Sequence, residues 1–234
     1  MNILITGHSR GLGAALARYA LARGDVVYAM SRSPLADGAD KLHEVRCDLS
    51  ALDSITPALT ALLRADIVLD EVYLNAGVLG RIADLRDTTL AELAAVMDVN
   101  VWANKIIIDW LAARAPAPAP ARIVLISSGA GVTGNHGWGA YALSKAALNM
   151  LTQLYAHELP ATQLLALAPG LIDTEMQTDL RAVDATRFPS LKRLHAAHGS
   201  ADMPDADTVA ARIHAAEPRL AALPSGSFVD LRRL

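Results

Sequence analysis

The residues Ile3-Leu4-Ile5-Thr6 run directly into Gly7-His8-Ser9-Arg10-Gly11-Leu12-Gly13 and then into an alanine-rich stretch that reaches about Arg23. The first run has the length and content of a buried strand, and the stretch after the glycines has the composition of a helix. Strand, glycine turn and helix in that order open a βαβ unit. Gly7 permits a sharp exit from the strand, Gly11 lets backbone come close to a pyrophosphate, and Gly13 allows tight packing of helix on strand. The helix N-terminus offers N–H groups to phosphates, which makes Ser9, Arg10 and Leu12 cofactor-binding candidates beside the three glycines. The spacing Gly-x-x-x-Gly-x-Gly departs from Gly-x-Gly-x-x-Gly, so alone it is balanced against an ordinary glycine turn.

The alternation continues to the far end of the chain. Residues 25–30 and 42–46 read as strands, 52–69 as a helix, and 71–74 as a fourth strand closed by Asn75-Ala76-Gly77. Residues 90–114 hold two helices joined near Asp98, and 123–126 form a fifth strand. A sixth strand at 164–168 ends at Pro169-Gly170-Leu171-Ile172-Asp173-Thr174, a helix follows at about 206–217, and 228–230 give a final strand. Strands alternating with helices predict an α/β fold: a doubly wound parallel sheet, Rossmann-like, with helices on both faces. The 234 residues, 53% hydrophobic, suffice for one core, so residues 1–234 are expected to form a single domain. Residues 115–121 alternate alanine and proline and read as an exposed connector. Residues 175–204 mix Met176, Leu180, Phe188 and Leu191 with charges and are the candidate substrate lid.

In such a sheet ligands bind at the carboxyl ends of the strands. The second strand ends at Ser31-Arg32-Ser33 without the acidic residue that would hold ribose hydroxyls, and Asp25 stands at the wrong end. Arg32 at this position, with Arg10 in reach from the glycine loop, favours NADP(H) over NAD(H), against a reading of both as solvated arginines. Asp48, followed by Leu49, can meet an adenine or cap the helix near Ser50; the adenine role is preferred.

The fifth strand leads through Ser127, Ser128 and a glycine-rich loop to a helix carrying Tyr141 and Lys145. Four residues apart, these side chains share a helix face. An ammonium beside a phenol favours the phenolate and is expected to pull its pKa from about 10 toward neutrality. Such a tyrosine can exchange a proton with a substrate oxygen to which Ser128 donates a hydrogen bond. His136 and Trp138 flank the start of the helix as pocket candidates. A tyrosine and a lysine so spaced are also an ordinary surface pair; the neighbouring motifs, all at strand ends, favour the functional reading.

Other features exclude function classes. The net charge of −3 with scattered cations argues against nucleic acid. The single cysteine, Cys47, precludes an intrachain disulfide and fits a reducing compartment. Without a basic leader or an apolar run near about 18 residues, a cytoplasmic location and no membrane partner are expected. His195 and His198 lack partner ligands, so no metal is expected. Arg181, Arg187, Lys192 and Arg193 stand among Asp173, Glu175, Asp179, Asp184 and Asp202, and read as a solvated mixed face rather than a site for a carboxylate, phosphate or acyl carrier.

Taken in order, Thr6-Gly7-x-x-x-Gly11-x-Gly13, Asn75-Ala76-Gly77, Asn100, Ser128, Tyr141-x-x-x-Lys145 and Pro169-Gly170 resemble the short-chain dehydrogenase/reductase family, in its short single-domain branch, over essentially the whole chain. The resemblance implies a small-molecule oxidoreductase that interconverts a carbonyl and an alcohol, with Tyr141 as general acid/base. It implies that Lys145 lowers the Tyr141 pKa and holds the nicotinamide ribose, that Ser128 positions the carbonyl, and that Asn100 completes a water-linked proton relay to Lys145. Ser128 rather than Ser127 takes this role, because the family places its serine thirteen residues before the tyrosine. Thr174 matches the family residue near the nicotinamide amide, with Pro169, Gly170 and Ile172 beside it. Leu74 departs from the family's usual asparagine. The short stretch after Lys145 disfavours an epimerase or dehydratase with a larger substrate domain. The resemblance also implies a homodimer or homotetramer built through the helices around residues 102–110 and 141–154. A dinucleotide-binding regulator without meaningful catalysis is the rival reading; the presence of Asn100, Ser128, Tyr141 and Lys145 together speaks against it.

Overall fold

The computed structural model describes residues 1–36, 39–114, 118–181, 183 and 188–234. Seven strands, β1 (Asn2–Thr6), β2 (Val26–Ser31), β3 (Leu42–Arg46), β4 (Glu71–Leu74), β5 (Arg122–Ile126), β6 (Gln163–Ala168) and β7 (Ser227–Asp230), form one sheet in the order β3-β2-β1-β4-β5-β6-β7. All six pairings are parallel. The helices are α1 (Gly11–Ala22), α2 (Ile55–Leu62), α3 (Leu90–Met97), α4 (Ala103–Ala113), α5 (Gly139–Glu158), α6 (Glu175–Arg181), α7 (Ser190–Ala197), α8 (Ala206–Ala215) and α9 (Glu217–Ala221). Among the described residues, no helix is long and apolar enough to cross a membrane.

The near-continuous apolar strands are explained by burial on both faces. Ile3 and Ile5 point into a core made with α1 and α8, whereas Leu4 between them joins a second core with α2, α4 and α5. The same alternation places Val124 in the first core and Ile123 and Leu125 in the second. A smaller cluster of Leu180, Phe188, Leu191 and Leu194 packs with Trp138 and Leu171, and ties α6 and α7 down beside the carboxyl edge of the sheet. Strand order reverses at β1, so β1 and β4 diverge into their helices there and leave a crevice.

One expected element needs correction. The helix read over 52–69 begins with a 3-10 turn (Leu52–Ser54) and stops at Leu62. Arg114 donates to the carbonyls of Ile67, at 2.7 Å, and Arg64, holding these residues as a loop that helical bonding could not share. The helix expected at about 206–217 is α8, and the short α9 follows after Ala216, starting at the pair Glu217-Pro218. The join near Asp98 is a π-helical turn, Asp98–Trp102, rather than a break. The expected connector at 115–121 falls partly on residues 115–117, outside the described residues.

Candidate active site

At the carboxyl ends of the strands lies a cleft of about 1410 Å³. That is larger than a drug-sized pocket of about 300–1,000 Å³ and has room for a dinucleotide with a second molecule. Every candidate catalytic and cofactor-binding residue from the sequence lines it except Gly13 and Asn100, which stand behind its wall.

The phosphate end is built on a locked turn. Gly7, at φ +69°, takes the chain out of β1. The buried Thr6 hydroxyl accepts the N–H groups of Asn75 at 3.0 Å and Ala76 at 3.1 Å. Asn75 Nδ2 donates back to the carbonyls of Thr6 and Gly7 at 3.0 and 3.2 Å. A Cβ on Gly13 would lie 2.2 Å from the Gly7 carbonyl oxygen, so α1 rests directly on this turn. Arg10 occupies the N-cap of α1 and its side chain makes no capping bond. The first-turn N–H groups of α1 therefore remain available to an anion, as a dinucleotide site requires.

Arg32 is exposed at the end of β2, at the cleft. Arg10 also lines the cleft, but its guanidinium pairs with Glu175 of α6. Asp48 caps no helix: the 3-10 turn that follows it has Ala51 at its N-cap and no side-chain capping bond. Asp48 Oδ1 accepts the Ser50 N–H at 3.0 Å and hydroxyl at 2.8 Å, closing a turn, and Asp48 lines the cleft with Leu49. The Ser50 donors hold its carboxyl below the usual carboxylate range, and the Arg32 charge adds to the effect.

At the other end, β5 delivers Ser128 and α5 delivers Tyr141 and Lys145. Ser128 Oγ accepts the Ala130 N–H at 3.1 Å, which fixes its rotamer. Lys145 is buried and donates to the Ile126 carbonyl at 2.7 Å. Its Nζ lies 5.6 Å from the Tyr141 ring centroid, over the ring. Burial pushes the Lys145 ammonium down to about 8. The expected depression of the Tyr141 pKa is not found. Burial pushes the phenol up, and a hydrogen bond with Ser128 only partly opposes it. Distance and burial explain the difference: shared helix face does not put the ammonium against the hydroxyl, and desolvation disfavours the phenolate.

Asn100 is fully buried on the π-helical turn, a type of turn frequent at functional sites. Its Oδ1 accepts the Val78 N–H at 2.8 Å, while Nδ2 donates to the Val78 carbonyl and to Ser144 Oγ, both at 2.9 Å. Ser144 donates in turn to the Tyr141 carbonyl at 2.8 Å, so Asn100 braces α5 beside Lys145. A Cβ on Gly77 would lie 3.3 Å from Asn100 Oδ1 and 3.6 Å from Lys145 Nζ, which shows the two groups converging over that glycine.

The remaining walls come from the loop after β5 and from α6 and α7. Trp138 lines the cleft with its ring centroid 6.0 Å from that of Tyr141, and its Nε1 donates to Ser190 at 2.9 Å. His136 does not line the cleft; it pairs with Asp84 and meets Phe188 edge-on at 5.1 Å. His198 lies 3.7 Å from Asp173, and among the described residues no three metal-type side chains gather. Thr174 and Ile172 reach the cleft, and a Cβ on Gly11 would touch Thr174 Cγ2 at 3.4 Å. Arg193 also lines it; Arg187 lies outside the described residues, as do the side chains of Arg181 and Asp179. Sequence reading missed Ser144, Ser190 and the Ser127–Asn149 hydrogen bond of 2.5 Å. Ser144 was legible in principle, since it stands on the Tyr141 helix next to Lys145.

The buried ammonium has a measurable consequence. A folded-state value of about 8 against 10.5 means that the unfolded chain binds more protons between these limits, so stability rises with pH across that window. Below about pH 8 the burden is complete, at about 3 kcal/mol. Lys145→Met is expected to raise Tm by several degrees at pH 7, less the lost bond to Ile126, with the gain vanishing near pH 10.5. Thermal melts of both proteins across pH check this; a variant less stable than wild type at pH 7 contradicts it.

The family model described as short chain dehydrogenase matches residues 1–185. An uncharacterized oxidoreductase of Schizosaccharomyces pombe is 34% identical over 188 residues, 76% of this chain and 74% of the relative. A benzil reductase, (S)-benzoin forming, of Bacillus subtilis is 30% identical over 218 residues, 88% of this chain and 89% of the relative. Among solved structures, the enzyme KRED1-Pglu superimposes with a TM-score of 0.84 at 26% identity, covering 97% of this chain and 99% of that one.

Proposed function

The chain belongs to the short-chain dehydrogenase/reductase family, and from that premise we propose that it is an NADP(H)-dependent oxidoreductase reducing a ketone or aldehyde to an alcohol. The observation that carries the reading is the meeting of Ser128, Tyr141 and Lys145 in one cleft with the locked glycine turn. When bound, the nicotinamide supplies hydride to the carbonyl carbon. Gly7, Gly11 and the first turn of α1 would hold the pyrophosphate, and Thr174, Ile172 and Pro169-Gly170 would hold the nicotinamide end. Ser128 donates to the carbonyl oxygen and Tyr141 gives it a proton as the C=O bond becomes C–O–H. The raised pKa of Tyr141 keeps the phenol protonated at neutral pH, which suits reduction. Lys145, aided by Asn100, returns a proton to Tyr141.

The substrate body is apolar or aromatic, since Trp138, Leu171, Leu180 and Leu194 line the cleft beside α6 and α7. Aryl ketones and 1,2-diketones are the first compounds to assay, in keeping with the benzil reductase of Bacillus subtilis. Trp102, Leu143, Met150 and Leu154, each 42–53% exposed on the α4 and α5 side, support assembly as a homodimer or homotetramer.

NADP(H) preference rests on Arg32, with Arg10 able to join it on leaving Glu175. Titration with NADPH and NADH side by side, followed by nicotinamide fluorescence, is expected to show tighter NADPH binding by about tenfold or more. Arg32→Ala is expected to weaken NADPH and spare NADH. Equal binding of the two by wild type would remove the assignment and favour an NAD-linked dehydrogenase.

A further inference from the structure

The cations around the cleft are mostly spoken for. Arg10 faces Glu175, Arg18 faces Asp207, Arg81 faces Glu92, and Arg232 is clasped by Asp230. Arg32 lies at the opposite, adenosine end, near Asp48. Arg193 of α7 differs. It lines the cleft, is exposed, and among the described residues faces no carboxylate.

One helical turn before it stands Ser190, which also lines the cleft. Residues three apart on a helix share a face, so the two side chains are neighbours. Ser190 Oγ accepts from Trp138 Nε1 at 2.9 Å. An indole N–H is a donor only, so this bond consumes a lone pair and leaves the Ser190 hydroxyl proton to donate elsewhere. Among the described residues it donates to no group. A guanidinium fork and a hydroxyl donor, side by side, without an acceptor and facing a cleft, match the two oxygens of a carboxylate.

The span to the reacting centre is set by Trp138. Its ring stands 6.0 Å from the Tyr141 ring, while its Nε1 touches Ser190. A molecule reaching from the Tyr141 hydroxyl to Arg193 must pass along the indole, which a flat apolar body does best.

We propose that Arg193 and Ser190 form a carboxylate subsite, and that the substrate is an oxo acid whose carbonyl and carboxylate are separated by an aryl or similar apolar body. This rests on the carbonyl-reductase reading. It replaces the solvated-face reading of Arg193 from sequence.

The test compares 4-acetylbenzoate with its methyl ester, measuring kcat/KM with NADPH for wild type, Arg193→Met, Arg193→Lys, Ser190→Ala and Lys192→Met. The acid-to-ester ratio within each protein cancels losses of folding or cofactor binding. Wild type is expected to favour the acid by about tenfold, chiefly through KM, as a charge-assisted pair at a partly exposed site allows. Arg193→Met brings the ratio near one, Arg193→Lys restores part of it, and Ser190→Ala lowers it. Lys192→Met, changed outside the cleft, keeps the wild-type ratio. Turnover of both compounds with a ratio near one in wild type, or an unchanged ratio in Arg193→Met, overturns the subsite and leaves the reductase reading standing. If wild type turns over neither these two compounds nor any aryl ketone or 1,2-diketone, the reductase reading falls and takes the subsite with it.

Discussion

Tyr141→Phe is expected to lower kcat/KM for carbonyl reduction by about 10³-fold while NADPH affinity and Tm stay close to wild type. The hydroxyl is the group that transfers the proton, and positioned acid catalysis contributes about 10²–10⁴-fold. The ring keeps its place without it. It rests 6.0 Å from Trp138 and under Lys145 Nζ at 5.6 Å, and neither contact uses the oxygen. Lys145 keeps its own bond to the Ile126 carbonyl, so the ammonium stays where the cofactor would meet it. Steady-state kinetics with a fluorescence titration separate the two effects. Wild-type turnover by the variant would take the proton role away from Tyr141; loss of NADPH binding would make it a structural residue.

Gly13→Ala should act on the opposite end of the cleft, and through the fold. The new Cβ would lie 2.2 Å from the Gly7 carbonyl oxygen, 2.5 Å from Asn75 Nδ2 and 2.8 Å from the Gly7 carbonyl carbon. None of these can give way cheaply. Gly7 is held at φ +69° and Asn75 is bonded to the carbonyls of both Thr6 and Gly7. Overpacking a rigid site costs about 1–3 kcal/mol, and about 3 kcal/mol lowers Tm by roughly 6–12 °C in a domain of this size. Displacing the turn also moves the amides of α1, so NADPH affinity is expected to fall more than tenfold. Gly134→Ala is the control, because a Cβ there meets nothing within 4 Å. A Gly13→Ala protein with wild-type Tm and NADPH affinity would refute the stacked-turn account.

The fold was legible because its signals are local. Apolar runs of four to six residues, glycines at strand exits and alternation with helices follow from burial on both sheet faces, and the structure places Ile3, Leu4 and Ile5 accordingly. The positions of Asn75, Ser128 and Pro169 just past strand ends, and of Tyr141 on the helix after β5, could be read in the same way. What was not legible depends on contacts between distant residues. Arg114 ends the loop after α2 by binding carbonyls about fifty positions earlier, and Glu175 engages Arg10 across 165 positions. The direction of the Tyr141 pKa was misread for a related reason. The spacing of Tyr141 and Lys145 gives proximity along a helix, but burial and the bond from Lys145 to Ile126 depend on β5 packing against α5. Ser190 carried no sequence signal at all, since only its bond from Trp138, 52 positions away, gives its hydroxyl a direction.

The most direct measurement is transfer of label from NADPH carrying deuterium at the nicotinamide C4 position, incubated with wild-type protein and an aryl ketone or 1,2-diketone. The account predicts deuterium on the carbinol carbon of the alcohol, hydroxyl hydrogen from solvent, and loss of both product and label in Tyr141→Phe. Tight NADPH binding with no label transferred to any carbonyl compound would contradict it and identify the chain as a dinucleotide-binding protein that has kept the fold without the reaction.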